Sequence, residues 1–378
     1  MNHYKRILSA AVLAFLSGSA DAAPFTVEAR SLGMGNAKVA TANIATAPFA
    51  NPGMLSFQPS REDFSLLVGA GAFLNDSDGL VDKIDDFQSA YDSGNLADSL
   101  SIAQSMLGDI IAPEAALLFS TGFSGEKWAF ALSARSDAIA AATVATTNFN
   151  DPTQYDLVVE GILTTELGVS LARNFQIFGQ KIAIGLTPKY FTVNNAYISE
   201  SITTVDTGLG DLLNEGSTMD LGNYTTLDLG VVMGLTKHTH IGLLATNLVS
   251  NTINFTNSSG IPATLSFDTQ ARLGIAYRSD LLTLGADIDL IENDALLTTQ
   301  NFQALKSQYV ALGGELNLFN FMQLRIGAEK NIASDISEAA QENIYTAGVG
   351  FWFGFNIDLA VVSQNDSIGG FLQTGFRF

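Results

Sequence analysis

Residues 368–378 read Ile368-Gly369-Gly370-Phe371-Leu372-Gln373-Thr374-Gly375-Phe376-Arg377-Phe378. Ile368, Leu372, Phe376 and Phe378 share one register of a two-residue period, and Gln373 and Arg377 occupy the other. Extended backbone sends alternate side chains to opposite faces, so the stretch predicts a strand with one apolar and one polar face. In a bilayer, such a strand survives only where neighbouring strands satisfy its backbone groups, which requires a closed barrel.

The same period recurs upstream. Candidate strands fall at 62–74, 113–123, 126–137, 156–172, 180–193, 223–236, 239–249, 264–278, 280–291, 307–318, 320–330, 343–353, 355–363 and 368–378. That is an even number, fourteen, and short connections such as Ser124-Gly125, Lys237-His238, Ser279 and Gly354 alternate with mostly long ones. The expectation is an all-β transmembrane antiparallel barrel with tight periplasmic turns, long outer loops and both termini in the periplasm. Charge is segregated as a barrel needs, because a charge on the lipid face costs roughly 2 to 4 kcal/mol at the midplane. Leu163, Leu167, Val169 and Leu171 oppose Glu160 and Glu166, and Leu284, Ala286, Ile288 and Leu290 oppose Asp287 and Asp289. Phe267, Ala271, Leu273, Ile275 and Tyr277 oppose Asp268, Gln270 and Arg272, and the same sorting surrounds Glu315 and Arg325. Trp128, Tyr190, Tyr277, Trp352 and Phe353 are candidates for aromatic girdles at the membrane interfaces.

The front of the chain agrees with export. Residues 1–22 carry Lys5 and Arg6, an apolar run from Ile7 to Leu16, and a small-residue site at Ala20-Asp21-Ala22, the pattern of a secretory signal peptide. The apolar run is shorter than the roughly 20 residues a spanning helix needs. The whole chain has a formal net charge of −20, which argues against a direct nucleic-acid partner. With no cysteine, there is no disulfide, thiolate metal site or cysteine nucleophile. The three domains expected are the signal peptide at 1–22, an inward-folded plug at 23–61 and the barrel at 62–378. A fourteen-stranded barrel leaves lumenal space that the plug would occupy.

Within the expected plug, Ala29-Arg30-Ser31-Leu32-Gly33-Met34-Gly35-Asn36-Ala37 is followed by Asn51-Pro52-Gly53. This wording resembles the N-terminal hatch of the FadL-like superfamily of outer-membrane barrels, and together with the acidic helical first loop and Thr187-Pro188-Lys189-Tyr190 it looks most like the TraF-like group of conjugal-transfer proteins. The hatch usually closes on Asn-Pro-Ala, so Gly53 is a departure. The resemblance implies a plugged fourteen-stranded barrel, and either passage of hydrophobic compounds or a non-transporting role as a docking component of a conjugation or secretion apparatus. Arg30, Gly33, Gly35, Asn51 and Pro52 are the plug motif. Arg30 is expected either to pair with a lumenal carboxylate (Asp287, Asp289 or Glu315) and pin the plug, or only to help the segment fold. The remaining lumenal charges, Arg272 and Arg325 among them, either line a path or tie barrel and plug together.

Residues 75–112 hold eight aspartates against Lys83. Leu80, Ile84, Phe87 and Tyr91, then Leu100 and Leu107, recur at helical spacing and predict two amphipathic helices. Their apolar stripes either form lips of a groove for an apolar ligand or pack on each other and the barrel rim. Beyond residue 22 the only histidines are His238 and His240, with no third metal ligand beside them, so neither a hydrolase triad nor a metal centre is expected. The sequence points to a non-enzymatic barrel of a Gram-negative outer membrane. Its partners would be lipid and lipopolysaccharide, with a small hydrophobic ligand or conjugation components besides, and no cofactor.

Overall fold

A computed structural model describes residues 28–57, 63–76, 79–204, 217–256, 262–293, 297–299, 306–319, 321–334, 343–364 and 367–377. The expected signal peptide and Phe378 lie outside the described residues. Fourteen strands close into an antiparallel barrel. The first seven are β1 (Phe64–Asn75), β2 (Ile110–Ser124), β3 (Trp128–Thr146), β4 (Tyr155–Ile177), β5 (Gln180–Ser201), β6 (Ser217–Gly234) and β7 (Thr239–Thr246). Three shorter strands, β8 (Asn251–Thr256), β9 (Pro262–Phe267) and β12 (Leu297–Thr299), form a separate small sheet. The barrel resumes with β10 (Gln270–Arg278), β11 (Leu282–Asp289), β13 (Tyr309–Leu318) and β14 (Met322–Asn331), and ends with β15 (Asn343–Trp352), β16 (Asn356–Gln364) and β17 (Ser367–Arg377). Closure is between β1 and β17, from Ser65 opposite Arg377 to Leu74 opposite Ile368, so the C-terminal stretch is paired on both edges.

Alternation along each strand sets the two faces of the wall. Leu167 is 53% exposed, whereas its neighbour Glu166 is 6% exposed. Leu117, Leu132, Leu171, Leu243, Leu312 and Leu372 continue the exposed apolar belt around the barrel. Ser120, Thr187, Asp228, Thr283, Glu315 and Gln373 are buried on the other face. A continuous apolar exterior over a polar interior matches a lipid solvent outside and a hydrogen-bonding lumen within. No helix among the described residues is long and apolar enough to cross a membrane.

Two expectations are corrected. Residues 264–278 are not one strand: the chain leaves β9 at Phe267 and enters the barrel at Gln270. Polar bonds hold the break, with Thr269 Oγ1 donating to Asn247 O at 2.7 Å and Asn247 N donating to Asp228 Oδ1 at 3.0 Å. Phe267 therefore faces inward, its ring 4.7 Å from that of Tyr224 and 6.1 Å from that of Phe191, instead of joining the outer face. Second, β3 and β5 run well past residues 137 and 193, to Thr146 and Ser201, because they pair with β4 throughout this extension.

Three short helices lie inside the barrel before β1: α1 (Ala29–Gly33), α2 (Ala47–Ala50) and α3 (Met54–Phe57). The two helices expected between β1 and β2 are present as α4 (Leu80–Asp92) and α5 (Leu96–Ser105). Leu80, Ile84 and Phe87 are buried with Met106, Ile111, Val144, Tyr155 and Ile202, while Tyr91, Leu100 and Leu107 pack against that cluster. The stripe is thus covered by the extended strand ends, the rim-packing alternative, because β2, β3, β4 and β5 project far enough to meet it.

Candidate functional site

Residues 28–57 form an inner segment whose backbone lies against the lumenal wall. Its first anchor is Arg30, which makes a forked pair with Glu315: Nε to Oε2 at 2.9 Å and Nη2 to Oε1 at 3.0 Å. Arg30 Nη1 also donates to Thr41 O at 2.6 Å. Arg325 donates to the same Glu315 Oε2 at 2.8 Å and to Asp358 Oδ1 at 2.6 Å. Gln373 continues the chain, donating to Asp358 at 3.2 Å and to Glu28 at 3.1 Å and accepting from Ala29 N at 2.9 Å. Glu28 in turn caps α1, accepting from Arg30 N and Ser31 N. Forked guanidinium–carboxylate pairs fix geometry as well as charge, so this network holds α1 in one register against β13, β14, β16 and β17.

The other carboxylates named from sequence do different work. Asp287 accepts from the backbone N–H of Lys38 and Val39 at 2.7 and 2.8 Å, and Asp289 accepts from Tyr309 N at 2.8 Å. Arg272 bridges Asp289 at 3.3 Å and Glu329 at 3.0 Å, and Glu329 also accepts from Asn36 Nδ2 at 2.6 Å. Asn51 Nδ2 donates to Val39 O at 2.9 Å, and its Oδ1 accepts from Gly53 N at 3.0 Å. The motif residues are therefore brought together around one loop of inner backbone. Leu80, Ile84, Phe87, Tyr91, Leu100 and Leu107 are gathered elsewhere, and none of them lines the lumenal cavities.

Inward-facing glycines let the segment approach so closely. Gly285, Gly313 and Gly327 sit side by side across β11, β13 and β14, and Gly185 pairs with Gly230 across β5 and β6. A Cβ on Gly313 would stand 2.1 Å from Met34 O, and one on Gly327 would stand 2.1 Å from Gly35 N. A Cβ on Gly230 would stand 2.0 Å from Asn51 Oδ1. Gly35 itself has φ +60 and would press a Cβ within 2.5 Å of Ala328 N, so both conformation and contact demand glycine. Gly53 has no such φ; it is small because β6 is near, its Cβ position lying 3.0 Å from Gly230 O.

Elsewhere in the lumen the packing is looser. A cavity of about 200 Å³ at the long-loop end is lined by Leu32, Phe49, Phe73, Phe191, Phe267 and paired charges. One of about 920 Å³ opens at the short-turn end, lined by Arg30, Phe57, Leu67, Lys181, Lys237 and Arg278 among others. Between them is a void of only about 10 Å³ bounded by Glu28, Ser31, Lys38, Thr46, Phe49, Ala50, Leu118 and Arg135. Lys38, Phe49 and Arg135 also line the upper cavity, and Thr46 lines the lower. The constriction borders β2 and β3, away from the glycine-packed wall. At that size it holds about one water.

Lys38 is unusual chemically. Burial, then the neighbouring Arg272 and Arg135 guanidinium groups, lower its pKa to about 8, with Glu329 and Asp287 acting in the opposite sense. Neither Lys38 nor Phe49 stands out in the sequence, since a lone lysine and a lone phenylalanine in a small-residue segment carry no period. The glycines were legible in principle: Gly285, Gly313 and Gly327 fall on registers otherwise occupied by polar lumenal residues. The two histidines stay apart in role. His240 meets Ala40 O at 2.6 Å inside the lumen, and His238 meets Arg278 O at 2.9 Å at the short-turn end.

Residues 48–289 match the family described as F plasmid transfer operon, TraF, protein. The barrel is similar to the solved structure of the Pseudomonas putida toluene transporter TodX, at TM-score 0.51 and 13% identity over 94% of this chain and 98% of that one. It is similar also to a Pseudomonas aeruginosa FadL homologue, at TM-score 0.53 and 13% identity over 93% and 97% of the two chains. No curated protein sequence matches the chain.

Proposed function

The chain belongs to the family described as F plasmid transfer operon, TraF, protein, and from that premise and the lumen's geometry we propose that it is an outer-membrane channel for small hydrophobic compounds. The apolar belt sits in the lipid, the long-loop end faces outward in contact with lipopolysaccharide, and both termini lie in the periplasm. Residues 23–61 act as the plug, and the compound passes without nucleotide or cofactor. The observation carrying this reading is the pair of cavities on either side of the inner segment, each sharing wall residues with one small void bounded by Phe49 and Leu118 among others. The fold shared with barrels described as hydrocarbon channels supports it.

The chemistry required is modest. A hydrophobic molecule reaching the outer cavity exchanges water for Leu32, Phe49, Phe73 and Phe191, at about 25 cal/mol per Å² of apolar surface buried. Phe49 then has to swing, because the void beneath it is smaller than any such molecule. The Arg30–Glu315–Arg325 network and the glycine wall keep the rest of the plug still while one side yields.

One observation favours a second reading, in which the barrel docks components of a conjugation apparatus and transports nothing: the family description itself, joined to a void between the two cavities with room for about one water. Uptake of labelled toluene and related hydrocarbons in a deletion strain, with and without the restored gene, separates the two. Restored uptake supports the channel. No difference, with the protein present in the outer membrane, favours docking.

A further inference from the structure

Charge in the lumen is sorted by sign along its axis. The cavity at the long-loop end presents four cations, Lys38, Arg135, Lys189 and Arg272. Lys189 is held by Glu166 and Asp228, Arg272 by Asp289 and Glu329, and Arg135 by Asp137. Glu114 and Asp268 line the same cavity, so carboxylates outnumber cations by three. At the short-turn end the order reverses: among the described residues the lining holds Arg30, Lys181, Lys237, Arg278, Arg325 and Arg377 with Asp280, Glu315 and Asp358, an excess of three cations in that lining. Glu315 and Asp358 are already engaged by Arg30 and Arg325. Lys181 donates to Phe57 O at 3.1 Å and lies over the Phe57 ring, and neither it nor Lys237 meets a carboxylate among the described residues.

We propose that this polarity is a charge filter, which narrows the channel's substrates to uncharged apolar or aromatic molecules and rejects carboxylates and ammonium ions alike. The inference rests on the channel reading above. Ions screen a charge in solution over about 8 to 10 Å, but a solute squeezed past the plug lies closer than that to the lining side chains, between low-dielectric walls. An anion arriving at the long-loop end meets surplus carboxylate first. A cation is drawn into that end and then meets the lysines and arginines beyond Phe49. A neutral ring meets neither barrier. The two signs are thus stopped at different ends, and that separates this mechanism from simple hydrophobic selection, which would treat both ions alike.

The test uses vesicles with a lipopolysaccharide outer leaflet carrying the full chain, and toluene, benzoate and benzylammonium as matched probes at pH 7, each corrected for protein-free vesicles. Toluene uptake is expected to exceed that of either ion by roughly tenfold or more, as rings of fixed charge select in channels. Asp268→Lys is expected to raise the benzoate-to-toluene ratio and leave the benzylammonium-to-toluene ratio where it was. Lys237→Glu is expected to do the reverse. Equal uptake of the three probes, or reversal variants that move both ratios together, would overturn the filter while leaving the channel standing. No uptake of toluene above the protein-free rate would overturn the channel reading and the filter with it.

Discussion

Two cations of the inner segment, Arg30 and Lys38, make opposite contributions. Arg30 is compensated: its fork on Glu315 is shared with Arg325, and every member of the chain from Glu28 to Asp358 has a partner. Removing one side of such a network leaves an uncompensated buried charge at a cost of about 3 to 5 kcal/mol. Arg30→Ala is therefore expected to lower the thermal unfolding midpoint of the detergent-solubilised barrel and to make the inner segment accessible to protease. Unchanged protection would show that Glu315 is satisfied by Arg325 alone. At Lys38 burial acts first, and its pKa of about 8 lies below the ordinary 10.5. Between pH 8 and 10.5 the unfolded chain holds a proton that the folded chain has released, so stability due to this group rises with pH across that window. The gain approaches roughly 3 kcal/mol at 1.36 kcal/mol per unit. Wild type minus Lys38→Met, followed by thermal unfolding from pH 7 to 10.5, should show that rise. A flat difference would mean that Glu329 and Asp287 offset burial.

At the scale of elements, the wall at β11, β13 and β14 is shaped by glycine on its inner face. Gly313→Val and Gly327→Val should leave the barrel closed yet displace Met34-Gly35, since the added carbon would lie about 2.1 Å from inner backbone. The expected result is ion conductance across planar bilayers that the wild type lacks. Gly314→Ala, whose Cβ comes no nearer than 3.4 Å to Leu284 Cδ2 and 4.0 Å to Thr283 O, serves as the outward control. Phe87→Asp places a carboxylate in the sealed cluster under α4 and is expected to cost at least the 3 to 5 kcal/mol of a buried Phe→Ala change. Faster proteolysis at Ser93-Gly94 would report it. Barrel strands were legible because the two-residue period is enforced by lipid on one side and polar contacts on the other. The amphipathic helices were legible for the matching reason at a 3.6-residue period. Phe267 misled because its apolar side chain continues the outer register of β10, and the turn that reverses it depends on Asn247 and Asp228, distant in sequence. The fork of Arg30 on Glu315 was one of three pairings, with Asp287, Asp289 or Glu315, that the sequence left open. The constriction at Phe49 and Lys38 was invisible, because it arises from which wall the segment leans on.

The molecule as a whole is a closed wall, a segment fastened to one side of it, and two oppositely charged cavities that nearly meet on the other. With a formal charge of −20, the protein still gathers cations at its short-turn end. Partners at that end would meet basic groups, and solutes at the other would meet acidic ones. Everything proposed for the protein depends on whether a hydrophobic molecule gets past Phe49. The most direct measurement is uptake of labelled toluene by a strain lacking the gene, complemented with wild type, Phe49→Ala or Phe49→Trp at equal outer-membrane abundance. Wild type should restore uptake, alanine should raise it and tryptophan should abolish most of it. Uptake that is the same with and without the wild-type gene would contradict the channel and leave a sealed docking barrel in its place.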